Sequence, residues 1–195
     1  MVCCIPLFHL FSPCFKIKEN PELADTYYVR LSTEGYGGML CSTWMDRPLA
    51  VAGRITVRTE KGISVRLVDT KEPCAIIPNV AIHMNREANK GMAYNAAVDM
   101  LPLFAEGEEK GSFRTLIAKT AGVDEKDIIT TDLIVYNPQS GTEWNGFISA
   151  PRLDDLQCAF GALEAFVSAK NAENIPVYCV FDNEEVGSQT KQGAA

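Results

Sequence analysis

From Ala50 the chain alternates between apolar and polar positions, with Ile55 and Val57 leading into Glu60-Lys61-Gly62 and Ile63, Val65 and Leu67 leading away from it. Period two on both sides of a glycine-containing turn predicts a half-buried β-hairpin. The polar stretch from Asp69 to Glu72 closes it, and Cys74-Ala75-Ile76-Ile77 then runs into Pro78. Because the residue before a proline is pushed to extended backbone, a third short strand is expected to end there. Phe113, Leu116 and Ile117 fall at helical spacing between Gly111 and Lys119, and Gly122 follows as a stop. The middle of the chain therefore reads as a β-rich domain with one helix.

From Thr131 the pattern changes. Leu133 to Tyr136 and Val177 to Phe181 are short, nearly continuous apolar runs, which suit strands buried on both faces of a parallel sheet. Between them Leu156, Phe160, Leu163, Phe166 and Val167 form the apolar stripe of a helix. The expectation is a strand, helix, strand unit, with the β-rich domain inserted before the sheet resumes.

A chain of 195 residues that is 47% hydrophobic can bury one or two cores. A net charge of -7, from 18 basic against 25 acidic residues, repels phosphate backbones and leaves no basic stripe, so neither nucleic acid nor a membrane is expected as partner. The apolar stretch from Met1 to Phe11 lacks a basic flank and is shorter than the roughly 20 residues that cross a bilayer. The seven cysteines are scattered without a C-x-x-C pair, and read as reduced thiols of a cytoplasmic protein.

The chemistry-bearing residues come in acidic pairs. Asp154 and Asp155 open the amphipathic helix, and Glu184 and Glu185 follow the run ending at Phe181. Sites in open α/β sheets form outside the carboxyl ends of strands, where the two pairs can converge. Crowded carboxylates repel unless a cation sits among them, and zinc accepts carboxylate and imidazole ligands. With adjacent glutamates pointing in different directions, Glu185 can hold metal while Glu184 faces the attacking water. On spacing alone the simpler alternative stands: Asp154 or Asp155 caps the helix and the glutamates are solvated. His9 and His83 are the only histidines, and neither is informative by itself. The glycines at 35, 37, 38 and 187 match neither phosphate-loop spacing.

Five segments taken together resemble the aspartyl aminopeptidase family (metallopeptidase family 18) in the right order. They are Ser12-Pro13-Cys14-Phe15-Lys16-Ile17-Lys18, Thr43-Trp44-Met45-Asp46-Arg47-Pro48-Leu49, Pro78-Asn79-Val80-Ala81-Ile82-His83, Pro151-Arg152-Leu153-Asp154-Asp155 and Asp182-Asn183-Glu184-Glu185-Val186-Gly187-Ser188. The resemblance implies an α/β fold: a partial parallel-sheet zinc-peptidase domain over residues 1–18 and 131–195, with a β-rich dimerisation domain inserted at 19–130. It implies an aminopeptidase that takes peptides, acidic at the N-terminus, and forms a homo-oligomer through the inserted domain. Of the two zinc ions, Asp154 would bridge both, Glu185 and His9 would each be a ligand, and Glu184 would be the general base. His83 would reach the partner subunit's site to hold the scissile carbonyl.

The family writes His-x-Asp-Ser-Pro where this chain has His9-Leu10-Phe11-Ser12-Pro13. Phe11 cannot accept the imidazole proton that the aspartate would take. By the same resemblance the chain is truncated at both ends, and by itself is expected to be inactive. A non-catalytic homologue serving only as a dimerisation module is the alternative from another class, and a plain α/β domain with capping acids is the third.

Overall fold

The computed structural model describes residues 7–9 (backbone only), 12–107, 110–170, 175–181, 183–187, 189 and 191–192. These fall into two compact units. One, the barrel unit, comprises Cys14–Gly35 and Met39–Gln139; the other, the α/β unit, comprises Met1–Pro13, Tyr36–Gly38 and Ser140–Ala195. In chain order the early strands are β1 (Leu7–His9), β2 (Cys14–Ala24), β3 (Tyr28–Tyr36), β4 (Pro48–Thr59), β5 (Gly62–Asp69), β6 (Ala75–Ile76) and β7 (Leu103–Glu106). Helix α1 (Ser112–Ala121), β8 (Ile128–Tyr136), β9 (Thr142–Trp144), β10 (Phe147–Ser149), α2 (Leu153–Ser168) and β11 (Cys179–Phe181) follow.

In the barrel unit the sheet runs β5-β4-β6-β7-β3-β2-β8, and β4 also pairs antiparallel with β8. Every strand but β5 thus lies in a closed ring, and β5 is left as an edge outside β4. Closure brings the two backbones close at Gly53, where an added Cβ would stand 2.2 Å from the Asp132 carbonyl oxygen and φ is +147°, so only glycine fits. Phe15, Leu31, Leu49, Val51, Ile55, Val57, Leu133 and Val135 face inward, joined by Phe113 and Ile117 of α1. Helix α1 stops at Gly122, whose N–H returns to the Ala118 and Lys119 carbonyls, as the spacing predicts.

The predicted hairpin forms as β4 and β5, but only its first strand is half-buried. Thr59 pairs with Gly62, so Ile63, Val65 and Leu67 lie opposite Arg58, Thr56 and Arg54. A two-residue turn puts odd positions of one strand against even positions of the other. The apolar set of β5 therefore shares the outer face with the arginines rather than the inner face with Ile55 and Val57, and Ile63, Val65 and Leu67 are 74%, 59% and 84% exposed.

The extended parallel sheet is a second correction. The run from Leu133 to Tyr136 is not a parallel strand; it is the end of β8, antiparallel to β2 and β4. A four-residue apolar run does not distinguish the two cases. Thr130, Thr131 and Asp132 continue the strand with polar positions, as the wall of a barrel requires. The parallel pairing that is described joins β1 to β11, with Leu7, Phe8 and His9 opposite Cys179, Val180 and Phe181. β11 is not buried on both faces: Val180 and Phe181 are exposed, and β1 is its one sheet neighbour among the described residues.

Helix α2 forms where the stripe predicts and packs near β1. Tyr178 Oη donates to the Ala159 carbonyl at 2.7 Å, and the Phe166 and Tyr178 rings lie 5.6 Å apart. The stripe itself is largely uncovered, since Phe160, Leu163 and Val167 are exposed and Ala159 is the buried residue of the helix. Cys41, Cys74, Cys158 and Cys179 are free thiols and Cys14 is buried, while Cys3 and Cys4 lie outside the described residues. Among the described residues no helix is long and apolar enough to cross a membrane.

Candidate metal centre

Because β1 and β11 are parallel and in register through His9 and Phe181, the segments that follow them leave from the same end of the pair. That is the carboxyl end, where α/β folds gather ligands. Ser12, just beyond β1, donates its hydroxyl proton to the Asp154 carbonyl at 2.5 Å. Glu184 and Glu185, just beyond β11, sit in the short 3₁₀ turn Glu184–Val186 and are both partly buried. The His9 side chain, and Phe11 altogether, lie outside what is described.

At the start of α2 the Asp154–Asp155 peptide is cis, and Asp154 keeps extended backbone (φ -86°, ψ 120°). The capping alternative needs a side-chain hydrogen bond to the helix start, and none is made at this N-terminus. Instead Asp155 is half-buried and its Oδ1 has no hydrogen-bond partner. A buried carboxylate oxygen without a partner costs free energy and calls for a donor or a cation.

The two acidic pairs meet electrostatically. Burial raises the Glu185 carboxyl above its ordinary value, the Gly38 N–H opposes that rise, and the charges of Glu184, Asp154 and Asp155 add to it. The N–H of Gly38 donates to Glu185 Oε2 at 3.1 Å. The donor set is thus four carboxylates with one orphaned oxygen, the chemistry that suits a divalent cation. Among the described residues no group of three or more His, Cys, Asp or Glu side chains stands close enough to hold a metal ion, so these carboxylates match a zinc site by their chemistry and not by an assembled geometry.

His83 belongs to the barrel unit. It is exposed in a turn in which the Met84 N–H returns to the Ala81 carbonyl at 2.8 Å, and Val80, Ile82 and Met84 around it are also exposed. Sequence reasoning missed the parts played by Ser12 and Gly38. A hydroxyl bound to a main-chain carbonyl has no sequence signature. The Gly37-Gly38 pair did carry a signal, close approach of the backbone to another group, that phosphate-loop spacing could not express.

Comparison with known proteins identifies the family. The sequence model of the aminopeptidase I zinc metalloprotease (M18) family matches residues 5–195. A probable M18 family aminopeptidase 2 of Clostridium acetobutylicum is 44% identical over 196 residues, covering 95% of this chain and 45% of that protein. Among solved structures, yeast aminopeptidase 1 aligns with a TM-score of 0.80 at 28% identity, covering 98% of this chain and 47% of that one. A dodecamer of mApe1 from S. cerevisiae aligns with a TM-score of 0.79 at 28% identity, with coverage of 98% and 46%. The chain spans about half the length of the curated relatives it matches.

Proposed function

Because the chain belongs to the aminopeptidase I zinc metalloprotease (M18) family, we propose that it carries part of the active site of a zinc-dependent aminopeptidase. The reaction is hydrolysis of the peptide bond after the first residue of a peptide, with acidic first residues preferred by the resemblance. The observation that supports this reading is that Glu185, just beyond the parallel strand pair, feels the charges of Glu184, Asp154 and Asp155. Negative charge gathered beside a partly buried carboxylate favours a cation or a proton there.

In this reading Asp154, Glu185 and His9 would hold the metal, Asp154 being the carboxylate that the resemblance would share between two ions. Zinc, when bound, polarises the scissile carbonyl and makes water a nucleophile at neutral pH. Glu184 takes the proton from the attacking water and returns it to the departing amine. His83 of a partner subunit steadies the carbonyl oxygen. Two zincs sharing one carboxylate need roughly five protein ligands, more than this chain's three matched candidates, so the chain alone is not a competent peptidase. The complete enzyme would work in the cytoplasm on peptides, without nucleic acid or membrane as partner.

The test is a chimera in which these residues replace the matching segment of the Clostridium acetobutylicum relative. It should release N-terminal residues, from acidic peptides fastest, and Glu184→Gln should abolish turnover while leaving the protein folded. Full activity with Glu184→Gln would remove the general-base assignment.

A second reading, self-association through the barrel unit, is favoured by one observation. The edge strand β5 displays Ile63, Val65 and Leu67 in a row on the outer face. An apolar edge left open invites pairing with a second copy. The two readings are compatible, and in a non-catalytic homologue the second alone would remain.

A further inference from the structure

Residues Tyr36–Gly38 are the one piece of the chain's first half beyond Pro13 that packs with the α/β unit; Gly35 before them and Met39 after them belong to the barrel unit. What these three residues do there is visible in their contact with Glu185. The Gly38 N–H meets Glu185 Oε2 at 3.1 Å. A Cβ placed on Gly37 would stand 2.1 Å from Oε2, 2.5 Å from Cδ and 2.7 Å from Cβ of the same glutamate. Gly37 also has φ of +81°, a conformation that costs other residues strain. The carboxylate therefore lies against bare backbone, in a space that exists only because residue 37 has no side chain.

We propose that Gly37 and Gly38 are positioning residues: a backbone cradle that holds the Glu185 carboxylate in place for the metal. This rests on the reading of Glu185 as a zinc ligand. Without a brace, a carboxylate among Glu184, Asp154 and Asp155 is driven by repulsion toward solvent. The cradle opposes that in two ways, with a donor on Oε2 and with a close wall of main chain behind the side chain. Oε1 makes no hydrogen bond among the described residues, and is the oxygen available to a cation. Groups that orient a metal's ligands are worth roughly 10- to 100-fold in metal affinity.

The experiment uses the 195-residue chain and zinc, with affinity read by competition against a chromophoric chelator and folding by thermal melting. Gly37→Ala should weaken zinc binding by roughly 10- to 100-fold. Gly37→Asn should do the same, because asparagine tolerates positive φ yet still brings a Cβ; this separates collision with Glu185 from backbone strain. Gly35→Ala is the control, since a Cβ there meets only Met39 Cε at 3.8 Å, and it should leave affinity unchanged. Independently of zinc, Glu185→Ala should shift the Gly38 amide proton resonance, because it removes the acceptor. Zinc binding at full strength in folded Gly37→Ala or Gly37→Asn, or an unmoved Gly38 amide, would overturn the cradle while leaving the metal reading intact. If the unsubstituted chain takes up no zinc, the metal reading falls and the cradle's purpose falls with it.

Discussion

The Gly38 N–H is the one hydrogen-bond donor described on the Glu185 carboxylate, at 3.1 Å from Oε2, while the charges of Glu184, Asp154 and Asp155 all act against its ionisation. A single amide does not neutralise four carboxylates. In the metal-free chain Asp155→Asn should therefore raise the stability of the α/β unit by about 0.5–1 kcal/mol, the scale of a partly screened charge interaction. Zinc should erase that gain, since the cation is what the charge is there to meet. Thermal melts with chelator and with zinc compare the two cases; a substitution that stabilises equally in both would argue against a cation at this place.

Glu22 is a buried carboxylate that no sequence pattern flagged. Its side chain lies over the start of α1 and accepts the N–H groups of Gly111 and Phe113, at 2.5 and 2.8 Å, and the Ser112 hydroxyl at 3.3 Å. The helix has no capping bond from its own N-cap, Gly111, so Glu22 on β2 supplies from across the fold what a cap residue would. Glu22→Ala should cost about 1–3 kcal/mol, the range for leaving buried donors unsatisfied. A lowered urea midpoint with unchanged slope is the expected reading.

Asp25 gives a pH dependence of known sign. The N–H groups of Tyr27 and Tyr28 donate to its Oδ1, each at 2.9 Å, and hold the carboxyl below its ordinary value, with the Arg30 guanidinium adding to the effect. A carboxyl whose folded value is depressed contributes stability above its ordinary value of 3.8, and that contribution is lost as pH falls through the folded value. The β2–β3 turn should loosen in that acid range, and Asp25→Asn should flatten the dependence. Amide exchange at Tyr27 and Tyr28 across pH 2 to 6 is the measurement; identical profiles in both proteins would remove Asp25 as the cause.

Leu67 at 84% exposure, beside Val65 and Ile63 on the edge strand, is the position to charge if β5 mediates self-association. Leu67→Lys puts a cation next to Arg54 of each copy, and edge lysines are a recognised barrier to strand pairing. Light scattering should show the unsubstituted chain as a dimer or larger and the variant shifted to monomer. An unchanged mass would send the search for the contact elsewhere on the barrel.

The parts of the fold legible in the sequence were those set by local spacing. Gly122 ends α1, α2 follows its apolar stripe, and the hairpin about Glu60-Lys61 forms. What was not legible depends on parity and on distant partners. One residue in the turn register decides that Ile63 faces out while Ile55 faces in, and the partners of Leu133 to Tyr136 decide that the run lines a barrel. The acidic pairs were legible as residue types, and the resemblance assigned their roles. Their bracing was not, because Ser12 and Gly38 act through bonds to residues 142 and 147 positions away.

The most direct test of the metal centre is zinc uptake by the purified chain, measured by elemental analysis after equilibrium dialysis, beside the same chain carrying Asp154→Ala and Glu185→Ala. The account predicts zinc on the unsubstituted protein, held weakly because the ligand set is partial, and none on the doubly substituted one, with both folded. Equal zinc on the two proteins, or none on the first, would contradict it.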